Sequence, residues 1–396
     1  MGVFGDFLPP TETWLLEIAV LILVAKLLEG LSKRIRLPQV VFLVTFGVIL
    51  SVFKYSAGLE LSGIIEALAT LGIVLLLFMA GLEGSLRFLI RGFRAAGLIA
   101  FGGIIASLAF GVIASIVLGL ELIQGFALGV VFSATSVSVT VSVFEELGKI
   151  DSKEAMYIIE AAVIDDVAGL VLLSFLYTIR SAINLLYTSL IPFAALAIWF
   201  GTAFLTSKYA DGLLKEVGRL GVTRGTEAFA IAILFLLAFI AQEVGLASIL
   251  LAYAYGVGLA SHRYFAKKIA SSSEILIAIF APLFFITVGY KLDVSYLMTV
   301  SVAAIIGVSA LITVLGFLSK LLGCYIASRA LKLDHRSSLV ISIGMIPRSE
   351  VAMIAAATAY SLELINTSIY TACIVMTLAS VIISPIVLRR LVESIK

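Results

Sequence analysis

Apolar residues in this chain come in runs, and thirteen of those runs are long enough to be read as helices that cross a lipid bilayer. They cover residues 14–31, 38–53, 64–86, 95–119, 123–147, 153–180, 188–207, 225–242, 246–262, 274–290, 298–329, 337–361 and 368–391. A spanning helix needs roughly 20 mostly apolar residues, so thirteen of them consume about 260 positions. A chain of 396 residues therefore has no room for a sizeable soluble domain. Charged residues make up 13% of the total, about half the share usual in soluble domains. The expected fold class is an all-α polytopic membrane protein.

The net charge of +2 is too small to suggest a nucleic-acid partner, but its distribution is informative. Basic residues near helix ends stay preferentially in the cytoplasm. One alternate set of loops and flanking helix ends holds 21 of the 27 Lys and Arg residues, beginning with Lys33, Arg34 and Arg36 and finishing with Arg389, Arg390 and Lys396. The opposite set holds Lys54, Arg180 and Lys291, while Lys26, Lys320 and Arg348 fall inside helices. The expected placement is a multi-pass protein of the cell membrane, with its N-terminus outside and its C-terminus cytoplasmic. A helix count wrong by one would scramble this alternation, so the asymmetry supports thirteen.

Asp6, Glu12 and Glu17 precede or open the first run, where a secretory signal would carry basic residues, and this run is read as a retained helix. Cys324 and Cys373 both lie in apolar runs, and no disulfide framework is implied.

The chain also repeats a pattern. Leu77-Phe78-Met79-Ala80-Gly81-Leu82-Glu83 closes the third run, and Leu283-Phe284-Phe285-Ile286-Thr287-Val288-Gly289 closes the tenth. An offset of seven spans is odd, so the two copies would cross the membrane in opposite senses. This predicts two inverted six-helix repeats, residues 1–187 and 225–396, joined by a connecting helix in 188–224.

Ionisable side chains at mid-span cost about 3 kcal/mol each even on lenient insertion scales, and six need explaining: Glu160, Asp165, Asp166, Lys320, Arg348 and Glu350. Neighbours on a helix point about 100° apart, so Asp165 and Asp166 should face different partners. One can pair with a buried cation while the other faces a wet cavity and takes a proton or a metal cation. Glu160 is within reach of a pairing with Arg348, and a helix-packing role is equally open to it.

Two spans should break. Ser133-Ala134-Thr135-Ser136-Val137-Ser138-Val139-Thr140 crowds hydroxyls and β-branches into the fifth, and Gly344-Met345-Ile346-Pro347-Arg348 interrupts the twelfth. Unwound backbone at that depth survives only inside protein or beside a wet cavity. Its free carbonyls suit a small hard cation, and its half-helix ends call for compensating charge. Fifth and twelfth are again seven apart, which puts the breaks face to face. His262 and His335 read as solvated residues at cytoplasmic ends, and Glu83, Glu227 and Glu243 as structural carboxylates near helix ends.

Taken together, Ala161-Ala162-Val163-Ile164-Asp165-Asp166-Val167-Ala168-Gly169, the Leu-Phe-Met-Ala-Gly-Leu-Glu helix end, Pro282-Leu-Phe-Phe with Gly289, and Gly344-Met-Ile-Pro-Arg-Ser-Glu resemble the sodium/proton antiporters of cation:proton antiporter family 2. The resemblance covers nearly the whole chain. It implies a homodimer in which a dimerisation domain flanks a mobile core with crossed, broken helices. It implies Asp166 as the main carboxylate for Na+ or Li+, Asp165 paired with Lys320, and help from Thr135 and Ser136. Members with two aspartates and this lysine are typically electrogenic. Ser136 stands where some relatives have an acid, and Glu160 where a small residue is common. No cofactor and no enzymatic activity are implied; the expected partners are monovalent cations, protons and membrane lipid. Potassium/proton exchange is the alternative within transport. From another class, an intramembrane aspartic protease also uses two membrane carboxylates, although its Gly-x-Gly-Asp signature is absent.

Overall fold

The computed structural model describes residues 13–35, 37–58, 60–83, 93–179, 185–348 and 350–393. Arg36, Arg180 and Lys396, used above for orientation, and Asp6 and Glu12 ahead of the first run lie outside the described residues.

Every regular element among the described residues is helical. In chain order they are α1 (Thr13–Ile35), α2 (Gln39–Ala57), α3 (Gly63–Glu83), α4 (Phe93–Leu118), α5 (Leu122–Ser133), α6 (Val137–Glu146), α7 (Lys153–Ile179) and α8 (Leu185–Arg219). The second half holds α9 (Gly225–Glu243), α10 (Ser248–Leu259), α11 (Arg263–Tyr290), α12 (Val294–Thr299), α13 (Val302–Ala330), α14 (His335–Gly344), α15 (Glu350–Ser361) and α16 (Thr367–Glu393). With α5 and α6 taken as one interrupted span, α14 and α15 as another, and α12 as a short linker, they make thirteen spans. Among the described residues, eight stretches are long and apolar enough to cross a membrane by length and composition. Large apolar side chains face outward where lipid would lie: Leu27 on α1 and Ile116 on α4 are 73% and 69% exposed.

Several boundaries differ from the hydropathy reading. The run at 188–207 continues as helix to Arg219, because Lys208–Arg219 is a good helix former with i,i+3 and i,i+4 ion pairs, Lys215 with Asp211 at 2.6 Å and Arg219 with Glu216. Likewise α11 begins at Arg263 rather than 274, since its polar first turns are helical but not apolar. The long run at 298–329 resolves into α12 and α13, with the Asp293 and Ser301 side chains each capping a new start by accepting from Tyr296 N and Ala304 N.

Glycine sets how closely the helices approach. Gly47 of α2 lies against Gly289 of α11, where a Cβ on Gly47 would fall 2.0 Å from the Ile286 carbonyl oxygen. Gly81 of α3 lies against Gly256 of α10, where a Cβ on Gly81 would fall 2.4 Å from the Tyr253 carbonyl oxygen. A shift of seven spans turns the first contact into the second. The α3 and α11 ends singled out by the repeat thus occupy corresponding places in a layer of α2, α3, α10 and α11. A second group packs α4 on α13, with α5, α7, α14, α15 and α16 around them, and α8 joins the groups by touching both α7 and α10.

Candidate ion-binding site

The two interrupted spans meet at their breaks. Helix α5 stops at Ser133, and Ala134 (φ −63°, ψ 139°) and Ser136 (φ −103°, ψ 105°) are extended before α6 resumes at Val137. In the other span α14 stops at Gly344, and Pro347, which has no N–H to continue a helix, precedes α15. The exposed backbone of each break is satisfied by the other. The Ser136 amide donates to the Pro347 carbonyl at 2.7 Å, the Thr135 hydroxyl to the Met345 carbonyl at 3.2 Å, and the Thr140 hydroxyl to the Gly344 carbonyl at 2.6 Å. The crossing expected from the sequence is present: the Thr135 and Thr140 hydroxyls serve it, while the Ser133 hydroxyl back-bonds to the Val130 carbonyl of its own helix at 2.8 Å.

Arg348 is fully buried and binds no carboxylate among the described residues. Its guanidinium donates to the Phe132 carbonyl (Nε at 3.2 Å, Nη2 at 2.7 Å), to the Ile346 carbonyl (2.8 Å) and to the Gly316 carbonyl (2.7 Å). Its amide donates to the Ser380 hydroxyl at 2.9 Å. The charge therefore sits on the negative, carbonyl end of α5, where a helix dipole favours a cation. Ser107 of α4 also donates to the Phe132 carbonyl, at 3.1 Å, tying α4 to the same point. A pairing between Glu160 and Arg348 is not formed: the rigid fork of guanidinium donors is used up on carbonyls, and Glu160 is a half-buried residue with no polar partner among the described residues.

Asp165 and Asp166 diverge as the helical angle requires. Asp165 accepts from Lys320 Nζ with both oxygens at 2.8 Å, and both side chains are 0% exposed. The lysine has room because α4 carries Gly103 opposite it, where a Cβ would lie 3.3 Å from Nζ. Asp166 is less deeply buried and accepts no hydrogen bond among the described residues. The charged groups that act on it are Asp165 on its own helix, Glu350 from α15 and Lys320 from α13.

Two cavities approach this centre from opposite ends of the helices. One, about 370 Å³, is lined by Lys26, Glu29, Gln39, Glu274 and Pro282 toward the base-rich ends and by Glu350 at its depth. The other, about 260 Å³, is lined by Glu66, Gln242, Thr287 and Lys291 and reaches Leu173 of α7 and Ile354 and Thr358 of α15. Glu350 and Ile354 are four residues apart on α15, so the residues by which the two cavities touch that helix are separated by about 6 Å along its axis.

This arrangement can hold a partly solvated carboxylate, backbone oxygens at two breaks and a fixed counter-charge in one place. The sequence reading named its charged members; it missed the carbonyl groups of Phe132 and Gly316 that receive Arg348, which no side chain marks. Glu227, read as a structural carboxylate near a helix end, lies in the first turn of α9, is 5% exposed and pairs with Lys268 at 3.1 Å, linking α9 to α11. His262, read as solvated, is instead half-buried with its Nε2 2.9 Å from the Ser207 carbonyl, while His335 stays exposed beside the Tyr325 hydroxyl at 2.8 Å.

The family description "sodium/hydrogen exchanger, transmembrane" matches residues 19–394, nearly the entire chain. The chain belongs to the sodium/hydrogen exchanger family. Among similar proteins, the Na(+)/H(+)-K(+) antiporter GerN of Bacillus cereus is 29% identical over 94% of this chain and 95% of its own length. A Na(+)/H(+) antiporter of Enterococcus hirae is 27% identical, with 96% and 98% covered. In fold, the sodium proton antiporter MjNhaP1 of Methanocaldococcus jannaschii superposes with a TM-score of 0.74 at 16% identity, covering 97% of this chain and 99% of that one. The exchanger family comprises transporters, not enzymes. The protease alternative also fails on geometry: its two carboxyls must converge on one peptide bond, whereas here one aspartate is locked on a lysine and its neighbour faces away.

Proposed function

We propose that this exchanger moves Na+ or Li+ against H+ by competition at Asp166. The observation that carries the reading is the division of labour between adjacent aspartates: Asp165 is fully engaged by Lys320, while Asp166 accepts no hydrogen bond among the described residues. A bare carboxylate is costly at membrane depth, so a core that crosses must carry it neutralised by a cation or a proton. Either guest suffices and one excludes the other, which couples the fluxes without a separate gate.

In this reading Thr135, Ser136 and the carbonyls of the paired breaks supply neutral oxygens to the cation. Lys320 compensates Asp165, Arg348 holds the breaks together, Glu350 stands at the floor of the cavity on the base-rich side, and Glu160 lies on α7 about one and a half turns from Asp165. With two aspartates and a lysine, the cycle moves more protons than sodium ions and is electrogenic. The base-rich ends are cytoplasmic, which places the N-terminus outside. The corresponding glycine contacts support inverted repeats over 1–187 and 225–396, and the protein works as a homodimer. Potassium remains a competing cargo, since the Bacillus cereus relative is named for Na(+), H(+) and K(+) together.

Proteoliposomes loaded with a pH-sensitive dye test the assignment. Sodium or lithium addition dissipates the gradient with the parent protein and leaves it intact with Asp166→Asn; sodium-driven proton movement that survives the substitution removes Asp166 from the site. A voltage-sensitive dye in the same vesicles reports electrogenicity, and potassium added alone tests the competing cargo.

A further inference from the structure

Lys291 belongs to the sparse basic set on the base-poor side, and the fold sets it at the mouth of a cavity. It follows the last residue of α11, where its amide still donates to the Thr287 carbonyl at 3.0 Å. Its ammonium lies 2.6 Å from the carboxylate of Glu66, in the first turn of α3. Further along, the two helices touch by their backbones, since a Cβ on Gly72 of α3 would fall 2.3 Å from the Phe280 carbonyl oxygen of α11. The pair thus stands on a rigid frame while both side chains stay wet, Lys291 exposed by 32% and Glu66 by 64%.

Glu66, Thr287, Lys291 and Ser361 line the 260 Å³ cavity that reaches α7, and the same four line a second cavity of about 300 Å³ that also meets Lys54, Tyr290 and Tyr360. An ion travelling between the two chambers passes the pair. From Ser361 inward to Ile354 the first cavity follows α15 for about 10 Å. Low-dielectric walls focus the field of a charge at such a mouth down the cavity. The cavity from the base-rich side is lined differently: Glu29, Glu274 and Glu350 outnumber Lys26 there, whereas Lys291 balances Glu66 in the base-poor cavity. Lys54, in the neighbouring chamber, is turned onto the Tyr290 ring at 5.1 Å from its centroid.

We propose that Lys291 is an affinity-determining residue of the exchange cycle, positioned by Glu66. Its charge cancels the carboxylate at the base-poor mouth, lowers the local concentration of cations in that cavity, and gives sodium a weaker hold from this face than from the acid-lined one. The inference rests on the exchange reading above and adds a pair remote from the aspartates and the broken helices.

Lys291→Gln leaves the Glu66 carboxylate unbalanced, and Glu66→Gln leaves the lysine unbalanced. At fixed pH and low ionic strength, the KM for sodium presented to the base-poor face should fall about two- to tenfold in the first and rise by a similar factor in the second. In both, kcat should stay within about twofold, and the double variant should return near the parent. Raising ionic strength with choline chloride should erase most of both shifts, which a merely structural contact would not do. An exposed ion pair adds little to stability, so each variant should melt within about 2 °C of the parent. Right-side-out membrane vesicles from a host lacking its own sodium exchangers present the base-poor face, and everted vesicles present the other, where the KM should not move. Opposed shifts confined to everted vesicles uphold the pair and reverse the orientation. Shifts of the same sign in the two single variants, equal shifts at both faces, or none, overturn the assignment of Lys291. A parent that moves no protons in response to sodium instead overturns the exchange reading.

Discussion

Removing Lys320 while leaving Asp165 in place tests the claim that these two side chains form a closed electrostatic unit. Both are 0% exposed, and the carboxylate receives its only two hydrogen bonds among the described residues from the lysine, each at 2.8 Å. In Lys320→Met the aliphatic stem is kept and the charge is lost, so the carboxylate is stranded in a dry, helix-lined space. Breaking a buried pair from one side costs about 3–5 kcal/mol. Unfolding entropy near 2.1 cal/mol/K per residue, taken over the whole chain, converts this to a fall of roughly 4–6 °C in melting midpoint. The assay is thermal unfolding of the detergent-solubilised protein, followed by intrinsic fluorescence. Replacing both partners with apolar residues, Asp165→Leu with Lys320→Met, should recover most of the loss, because apolar packing of similar volume substitutes well for a buried pair. A single variant that melts within about 1 °C of the parent, or a double variant no better than the single, would refute the argument.

Two further outcomes follow from other parts of the molecule. Gly47→Val, whose Cβ would stand 2.0 Å from the Ile286 carbonyl, should abolish recovery of monodisperse protein, whereas Gly30→Ala on α1, with nothing within 4 Å, should raise the melting point slightly; size-exclusion profiles and melting curves read both. At the base-rich end, Asp334 caps α14 by accepting from the Arg336 and Ser337 amides, and bonds from Ser337 and then Arg336 hold its carboxyl below the ordinary carboxylate range. A depressed folded value means the cap stabilises above the unfolded value near 3.9 and fails as pH drops through the folded one. Asp334→Asn should therefore flatten the acid limb of a melting-point-against-pH curve below about pH 4 and leave the neutral limb parallel to the parent; an unchanged acid limb would count against the cap.

Much of the architecture was legible because membrane depth punishes polarity. The spans announce themselves as apolar runs, and the six mid-span ionisable residues could be picked out without any contact information. The divergence of Asp165 and Asp166 followed from helical geometry alone, and both breaks were visible as local conflict with the helix. Partners were harder to read. Arg348 looked like a counter-ion for a carboxylate, but its targets are carbonyl groups, which every residue carries and no sequence marks. Proline was an incomplete guide as well: Pro192, Pro282 and Pro385 all sit inside continuous helices. What distinguishes Pro347 is the opposing break, whose Ser136 amide takes up its carbonyl.

The glycine contacts have a consequence for biogenesis. Gly47 meets Gly289 and Gly81 meets Gly256, so each half of the protein packs into grooves supplied by the other. About 240 residues separate the members of the first pair, and at 5–20 residues per second a ribosome needs roughly 12–50 s to synthesise that interval. Throughout it α2 and α3 stand inserted with their smooth faces uncovered. Maturation is therefore delayed until α10 and α11 thread in beside them, and a translocon or insertase that shields small-residue grooves during this wait would govern the yield of functional protein.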